Sequence, residues 1–314
     1  MANADMQKER KLISIVIPVY NEEGNILPLY EGIKKAVSQT KEYDFEIIFV
    51  DDGSTDKTKE KIKNLSETER FQIIYQYTKR NSGKTKALKN GFELSKGELI
   101  LTMDGDMQDD PKYIPDYINK LKNENSDMVV GNRSNRYSKN ILKWISSHIA
   151  NNVANILSGS DISDMNCGYK VMTSECAKTL MLKSDYHRYL PLLAGIEGFL
   201  VSEIEITQNK RHSGDSKYGK TGLGRFVISM LDMLSIYFVY KFRKEPFRVF
   251  GRIGFTFIII GLIILGYLSI LWLGGQYIRG RPMFFLGILL MILGTNVLGM
   301  GLLGELVVIH GENK

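Results

Sequence analysis

Leu99-Ile-Leu-Thr-Met-Asp-Gly-Asp-Met-Gln108 decides how this chain is read. A short apolar run ends in two carboxylates one residue apart, and an amide follows two residues later. In an extended chain, residues i and i+2 point to the same side. The spacing therefore predicts that Asp104 and Asp106 face one ligand together, with Gln108 joining them if the strand direction carries on. Two carboxylates and an amide oxygen form an all-oxygen donor set suited to Mg²⁺ or Mn²⁺. Such ions usually neutralise phosphates. The plain alternative is a polar turn after a strand, with Asp109, Asp110 and Pro111 opening the next helix. The segment alone does not choose between the two.

Around it, apolar runs alternate with helical patterns. Strands are predicted at Ile13 to Pro18, Glu46 to Val50, Phe71 to Tyr75, Leu99 to Met103 and Met128 to Val130. Helices are predicted at Ile26 to Thr40, Lys57 to Glu69, Lys84 to Ser95 and Pro111 to Asn123. This alternation implies an α/β domain, a parallel sheet with helices on both faces. Ligands bind beyond the carboxyl ends of such strands, and the polar motifs stand there. Pro18-Val-Tyr-Asn-Glu22 follows the first strand, Asp51-Asp-Gly-Ser-Thr-Asp56 the second, Arg80-Asn-Ser-Gly-Lys84 the third and Asp104-Gly-Asp106 the fourth. One such motif is an ordinary capped turn; four in register argue for a shared cleft. Gly83-Lys84-Thr85 resembles the end of a P-loop, but Thr78 stands where that loop needs its first glycine.

The chain has 314 residues and a net charge of +6. Its two cysteines, Cys167 and Cys176, do not make a secreted disulfide framework. Met1 to Lys11 is polar, so no signal peptide is expected. Charges run throughout up to about Lys220, but none stands between Ile253 and Leu273, or between Pro282 and Gly304. Each stretch is long enough to cross the roughly 30 Å hydrocarbon core as a helix, which needs about 20 residues. Two together predict a transmembrane hairpin. Lys241, Arg243, Lys244, Arg248 and Arg252 crowd its entry, against Arg279 and Arg281 in its loop. The positive-inside rule then puts the N-terminal domain and the C-terminal tail in the cytoplasm. Gly222 to Phe250 mixes aromatic, aliphatic and basic residues, as helices at a membrane surface do. The expected organisation is a catalytic domain over 1–220, interfacial helices over 221–252, and over 253–314 a hairpin with spans at about 253–273 and 283–303. Gly294, Gly299, Gly301 and Gly304 would allow close helix contacts, including a homo-oligomer, and Asn296 is a candidate interhelical contact.

The motifs together resemble the inverting family 2 glycosyltransferases of the GT-A fold. Within them, the chain is similar to the polyprenyl-phosphate glycosyltransferases, which include dolichyl-phosphate mannose and glucose synthases and bacterial undecaprenyl-phosphate glucosyltransferases. Beyond the strand-end motifs, Gly131-Asn-Arg133, Asp164-Met-Asn-Cys-Gly-Tyr-Lys170 and Arg211-His-Ser-Gly-Asp-Ser-Lys217 carry the resemblance, over about residues 12–220. The usual Gly-Ser-Arg is Gly-Asn-Arg here, which leaves the arginine in place. The hairpin matches members with membrane anchors.

The resemblance implies a GT-A, mostly parallel sheet and a set of roles. Pro18, Tyr20, Glu22, Val50 and Asp52 would hold the nucleoside, and Asp104 and Gly105 would border the ribose and diphosphate. Asp106 and Gln108 would bind Mg²⁺ or Mn²⁺. Arg133, Arg211 and Lys217 would hold phosphates of donor or acceptor. Asp164 would sit at the reacting centre, where the family is often assigned a base. A phosphate monoester has a second pKa of about 6, so much of the nucleophile is already ionised near neutral pH. Asp164 is therefore expected either to orient the acceptor or to take a residual proton.

The expected partners are a nucleotide sugar, a polyprenyl phosphate and a bacterial or archaeal cell membrane; nucleic acid is not among them. The 164–170 motif looks more like the dolichyl-phosphate glucose enzymes than the mannose ones, which favours UDP-glucose. Two other readings share the Asp-rich motifs. A processive polysaccharide synthase would carry a Gln-x-x-Arg-Trp motif and more spans, neither of which is present. A non-catalytic membrane scaffold would not need Asp104, Asp106 and Asp164 intact.

Overall fold

The computed structural model describes residues 10–68, 71–133, 141–183, 185–209, 223–242, 245–277 and 282–312. Arg211, Lys217, Arg243, Lys244, residues 278–281 with Arg279 and Arg281, and Met1 to Glu9 lie outside them. The chain divides into two compact units, Met1–Met233 and Leu234–Lys314.

The first unit is built on a seven-stranded sheet. Its strands are β1 (Lys11–Val19), β2 (Tyr43–Asp51), β3 (Gln72–Tyr77), β4 (Leu99–Thr102), β5 (Met128–Asn132), β6 (Lys170–Thr173) and β7 (Val201–Glu205). They lie in the order β3-β2-β1-β4-β6-β5-β7. All neighbours are parallel except β6, which runs against both β4 and β5. One row of paired residues crosses the whole sheet: Ile73, Ile47, Ile15, Leu101, Val171, Val129 and Ser202. Ile13, Ile15, Val16 and Ile17 are each 0% exposed. A strand covered on both faces reads as a continuous apolar run, not an alternating one.

Helices α1 (Ile26–Val37), α2 (Thr58–Thr68), α3 (Lys84–Leu94) and α4 (Ile114–Asn123) follow the first four strands. Each buries one stripe, such as Ile26, Leu29, Tyr30, Ile33 and Val37 on α1. Full burial of each such aliphatic side chain is worth about 1.5–3 kcal/mol. Helix α1 packs with α2 and α4, while α3 packs with α6 (Ser174–Thr179). Two further helices, α5 (Ile141–Ser158) and α7 (Leu190–Ile196), pack on one another.

The sheet is mostly parallel, as the resemblance implies, and two findings depart from the sequence reading. Strands β6 and β7 are four and five residues long, too short for their patterning to stand out. Finally, Asp110 does open the next helix by accepting a hydrogen bond from the Lys112 amide at 3.1 Å, but Asp109 does not share that role and is buried.

The end of the sheet away from the strand-end motifs holds a charged residue in the core. Glu46 on β2 is 0% exposed and accepts hydrogen bonds from Ser14 Oγ at 2.5 Å and the Lys96 amide at 2.8 Å. The Gly97 amide donates to Ser14 Oγ at 2.8 Å. These bonds fix the turn between α3 and β4, and so the height at which β4 delivers its carboxylates.

The second unit contains α9 (Pro246–Leu273) and α10 (Pro282–Glu312), and α8 (Leu223–Phe242) straddles the boundary between the units. Helices α9 and α10 are long and apolar enough to cross a membrane. Leu273 and Val307 are 78% and 72% exposed. Helix α9 runs unbroken from Pro246 through the expected start of the span at Ile253. The pair touches through glycines seven residues apart. A Cβ on Gly254 would lie 2.8 Å from the Gly294 carbonyl, and one on Gly261 would lie 3.0 Å from the Gly287 carbonyl. Gly301 and Gly304 face Phe250 and Pro246. Small residues let two apolar helices approach backbone to backbone. Glu305 of α10 accepts the Phe247 amide at 3.1 Å, satisfying a free donor in the first turn of α9.

Gly97→Ala tests the turn below β4. The added methyl would lie 2.6 Å from the Ser14 nitrogen and 2.8 Å from two backbone carbonyls, none of which can swing aside. A loss of about 3 kcal/mol or more is expected, measured as a lower melting temperature of the full-length protein in detergent.

Candidate active site

Three loops interlock at the carboxyl ends of β1, β2 and β3. The Asn21 amide donates to Ser54 Oγ at 2.9 Å, and Asn21 Oδ1 accepts the Thr55 amide at 2.8 Å. The Glu22 amide donates to Thr58 Oγ1 at 2.8 Å, and its carboxylate accepts Asn25 Nδ2 at 2.6 Å. Asp52 accepts the Ser82 and Gly83 amides at 2.7 Å each and the Thr78 hydroxyl at 3.2 Å. Asp51 accepts the Tyr75 hydroxyl at 3.0 Å. Val50 is 0% and Asp52 5% exposed, whereas Pro18, Tyr20 and Glu22 are half-buried. Asp52 thus ties the third loop to the second, and three of its lone-pair directions are already used.

The fourth loop does not continue the strand. β4 ends at Thr102, a turn follows, and Met107 takes the left-handed conformation with φ +64°. Alternation along an extended chain therefore does not bring these side chains together. A short turn takes the place of the strand, in which the Gln108 backbone amide donates to Asp106 Oδ1 at 3.1 Å. Gly105 sits against Pro18 and Val19, linking the first loop to the fourth. Asp109 turns inward. It accepts the Asp104 amide at 3.3 Å and Gln208 Nε2 at 3.0 Å, while the Asn209 amide donates to the Gln108 carbonyl at 2.9 Å. The segment after β7 is thereby fastened to the turn.

Reversal of β6 supplies the rest. Its first residue, Lys170, pairs with Thr102, the last of β4. The loop before β6 therefore arrives where β4 and β5 end. It brings Asp164 to Arg133, whose guanidinium donates to both carboxylate oxygens, Nε at 2.5 Å and Nη2 at 2.8 Å. Their side chains are 8% and 13% exposed. The same loop lays Gly168 against Asp104: a Cβ there would lie 2.9 Å from Asp104 Oδ1. Lys84, the first residue of α3, forms an ion pair with Asp104.

Residues 14–190 match the family model described as glycosyl transferase family 2. The chain belongs to glycosyl transferase family 2. It is 33% identical to dodecaprenyl-phosphate galacturonate synthase of Rhizobium johnstonii, over 94% of this chain and 87% of the relative. It is 31% identical to undecaprenyl-phosphate 4-deoxy-4-formamido-L-arabinose transferase of Aeromonas hydrophila, over 97% and 90%. Among solved structures, glucosyl-3-phosphoglycerate synthase from Mycobacterium tuberculosis, in complex with Mn²⁺, UDP and phosphoglyceric acid, superposes with a TM-score of 0.54. That match covers 73% of this chain and 78% of the other at 18% identity. The fold is therefore GT-A, and the chain is a glycosyltransferase.

In this glycosyltransferase the cleft floor is electrostatically uneven. Exclusion of water raises the Asp104 carboxyl, but the Lys84 ammonium outweighs it and holds Asp104 below its ordinary value. Exclusion of water, with the Asp104 charge behind it, pushes Asp109 up to about 6. Burial and then the Lys84 charge hold His187 down to about 3, so its ring is neutral. Its Nδ1 lies 2.7 Å from the Thr85 hydroxyl. Burial likewise lowers Lys170, to about 8.

The family's divalent cation fits the residues present. Asp106 and Gln108 offer a carboxylate and a side-chain amide, an oxygen-only pair, and the Gln108 backbone amide holds the Asp106 carboxylate at 3.1 Å. No cluster of three His, Cys, Asp or Glu side chains exists among the described residues. Two protein ligands, with the remainder from substrate phosphates and water, is how Mg²⁺ is usually held.

Sequence reasoning named Lys84 within its strand-end motif and Lys170 within the 164–170 motif, but gave neither a role. Asp109, Gln208 and His187 carried no signal, because nothing local distinguishes a buried carboxylate from a capping one.

Gly168→Ala is expected to displace the Asp104 carboxylate and lower sugar transfer about 100-fold, the scale of a 1 Å misplacement. The atom that yields is the free end of a side chain, so the melting temperature should stay within about 3 °C. Activity and melting of the full-length variant check both halves.

Proposed function

We propose that this enzyme transfers a single sugar from a nucleotide sugar to a polyprenyl phosphate at the cytoplasmic face of a membrane, inverting the anomeric centre. The observation that carries this reading is the extent of the similarity. Both polyprenyl-phosphate sugar transferases match over 94% or more of the chain, a span that takes in the two long apolar helices as well as the cleft. A lipid acceptor explains why a sugar-transfer domain carries such helices.

The chemistry assigns roles to the cleft residues. Pro18, Tyr20, Glu22, Val50 and Asp52 surround the nucleoside, Asp52 mainly by holding the Thr78–Gly83 loop in place. Asp104 and Gly105 border the ribose and diphosphate. Asp106 and Gln108 would hold Mg²⁺ or Mn²⁺, which when bound stabilises negative charge on a leaving diphosphate. An acceptor phosphate oxygen forms a bond to the anomeric carbon as the bond from that carbon to the diphosphate oxygen breaks. The electron pair leaves with the nucleoside diphosphate.

Arg133 has five N–H groups, and Asp164 takes two. The other three can hold the acceptor phosphate in a charge-assisted fork, with Arg211 and Lys217 as further phosphate ligands. A carboxylate clamped at both oxygens by a guanidinium is a weak base. Asp164 therefore serves chiefly to orient Arg133 and the acceptor. UDP-glucose is the favoured donor; the relatives' names carry an acidic sugar and an amino sugar, so UDP-linked sugars of all three kinds belong in the test.

Full-length protein with Mg²⁺ or Mn²⁺, undecaprenyl phosphate and labelled UDP-glucose, UDP-galacturonate or UDP-4-deoxy-4-formamido-L-arabinose is expected to give a labelled lipid monosaccharide from one donor. Chelation by EDTA should abolish it. A long polymer, or no product from any nucleotide sugar, would sink the reading. Asp164→Asn is expected to lose rate equally at pH 6 and pH 8; a loss confined to pH 6 would instead make Asp164 a proton acceptor.

A further inference from the structure

Lys170 is the one lysine in the buried polar core of this chain's described residues, at 1% exposed. Taking an ammonium out of water is costly unless it is paired. Yet among the described residues its hydrogen bond goes to the Cys167 carbonyl, and no carboxylate there lies within ion-pair distance of it. A methionine would fill the same volume without that cost. The position therefore needs either the bond, the charge or both.

Its surroundings point to both. The loop from Asp164 to Lys170 is pinned carbonyl by carbonyl. Lys170 Nζ holds that of Cys167, Thr102 Oγ1 holds that of Gly168 at 2.9 Å, and the Tyr117 hydroxyl and Gly131 amide hold that of Tyr169 at 3.1 Å each. Gly168, in the middle, lies against the Asp104 carboxylate. Lys170 also pairs across the sheet with Thr102, two residues before Asp104. Lys84 and Arg133 each repel the Lys170 ammonium, and a diphosphate-bearing ligand beside Asp104 would relieve that repulsion. Preorganised charge behind a leaving group is a strong source of rate enhancement.

We propose that Lys170 is a positioning residue for sugar transfer: its buried ammonium clamps the Cys167 carbonyl, seats Gly168 against Asp104, and places a second positive charge behind the diphosphate. This rests on the proposed use of Asp104 for the nucleotide and goes beyond it.

The test compares full-length Lys170→Met and Lys170→Arg with the unaltered enzyme in detergent. Lys170→Met is expected to melt at the same temperature or higher, because a buried charge is gone. It is expected to lose about 100-fold in kcat, with KM for undecaprenyl phosphate unchanged. Lys170→Arg, which keeps the charge, should turn over faster than the methionine variant. The structure of Lys170→Met should show the Cys167–Gly168 segment and the Asp104 carboxylate displaced. Unaltered kcat in Lys170→Met, an arginine variant slower than the methionine one, or an undisplaced Gly168 and Asp104 each overturns the proposal. If the unaltered enzyme transfers no sugar from any donor, the functional reading fails instead, and the variant's structure still decides the role of Lys170.

Discussion

Strand β6 runs against both of its neighbours, and the cleft depends on that reversal. In an otherwise parallel sheet every strand presents its carboxyl end to the same side. A strand inserted backwards presents its amino end there, so the loop that precedes it joins the loops that follow the others. Four residues, Lys170–Thr173, accomplish this by pairing Lys170 with Thr102 on one side and Val130 on the other. Without it, Asp164 and Arg133 would have no reason to meet, and Gly168 would not lie under Asp104.

The floor of the cleft is a balance of opposed charges in a place with little water. Asp104 stands between Lys84 and Lys170, and Asp164 is clasped by Arg133. Burial and the neighbouring Asp104 charge push Asp109 up to about 6. Such a floor suits a ligand that brings both signs, a diphosphate together with a divalent cation, because either alone would upset the balance. This is consistent with the oxygen-only pair at Asp106 and Gln108.

The second unit obeys different rules. Apolar side chains have no water to escape in lipid, so the two long helices are held by close backbone approach at Gly254, Gly261, Gly287 and Gly294. Three of the glycines expected to allow close helix contacts, Gly294, Gly301 and Gly304, make them within the hairpin. Gly299 has no heavy atom within 4 Å of its Cβ position among the described residues.

Much of the fold was legible in local pattern. Apolar runs and helical stripes marked the first five strands and first four helices to within a few residues, because burial on both faces of a sheet leaves a strong trace in sequence. Asp104-Gly-Asp106 alone left a metal site and a polar turn both open; only the matching motifs at the neighbouring strand ends argued for a cleft. The sequence by itself thus determined the layered α/β domain and the two apolar helices. Only the tertiary structure decided the direction of β6, the inward turn of Asp109 and the pairing of Arg133 with Asp164. These rest on contacts between residues about 30 to 100 positions apart, and an aspartate that caps a helix is spelled the same way as one that is buried beneath a cleft.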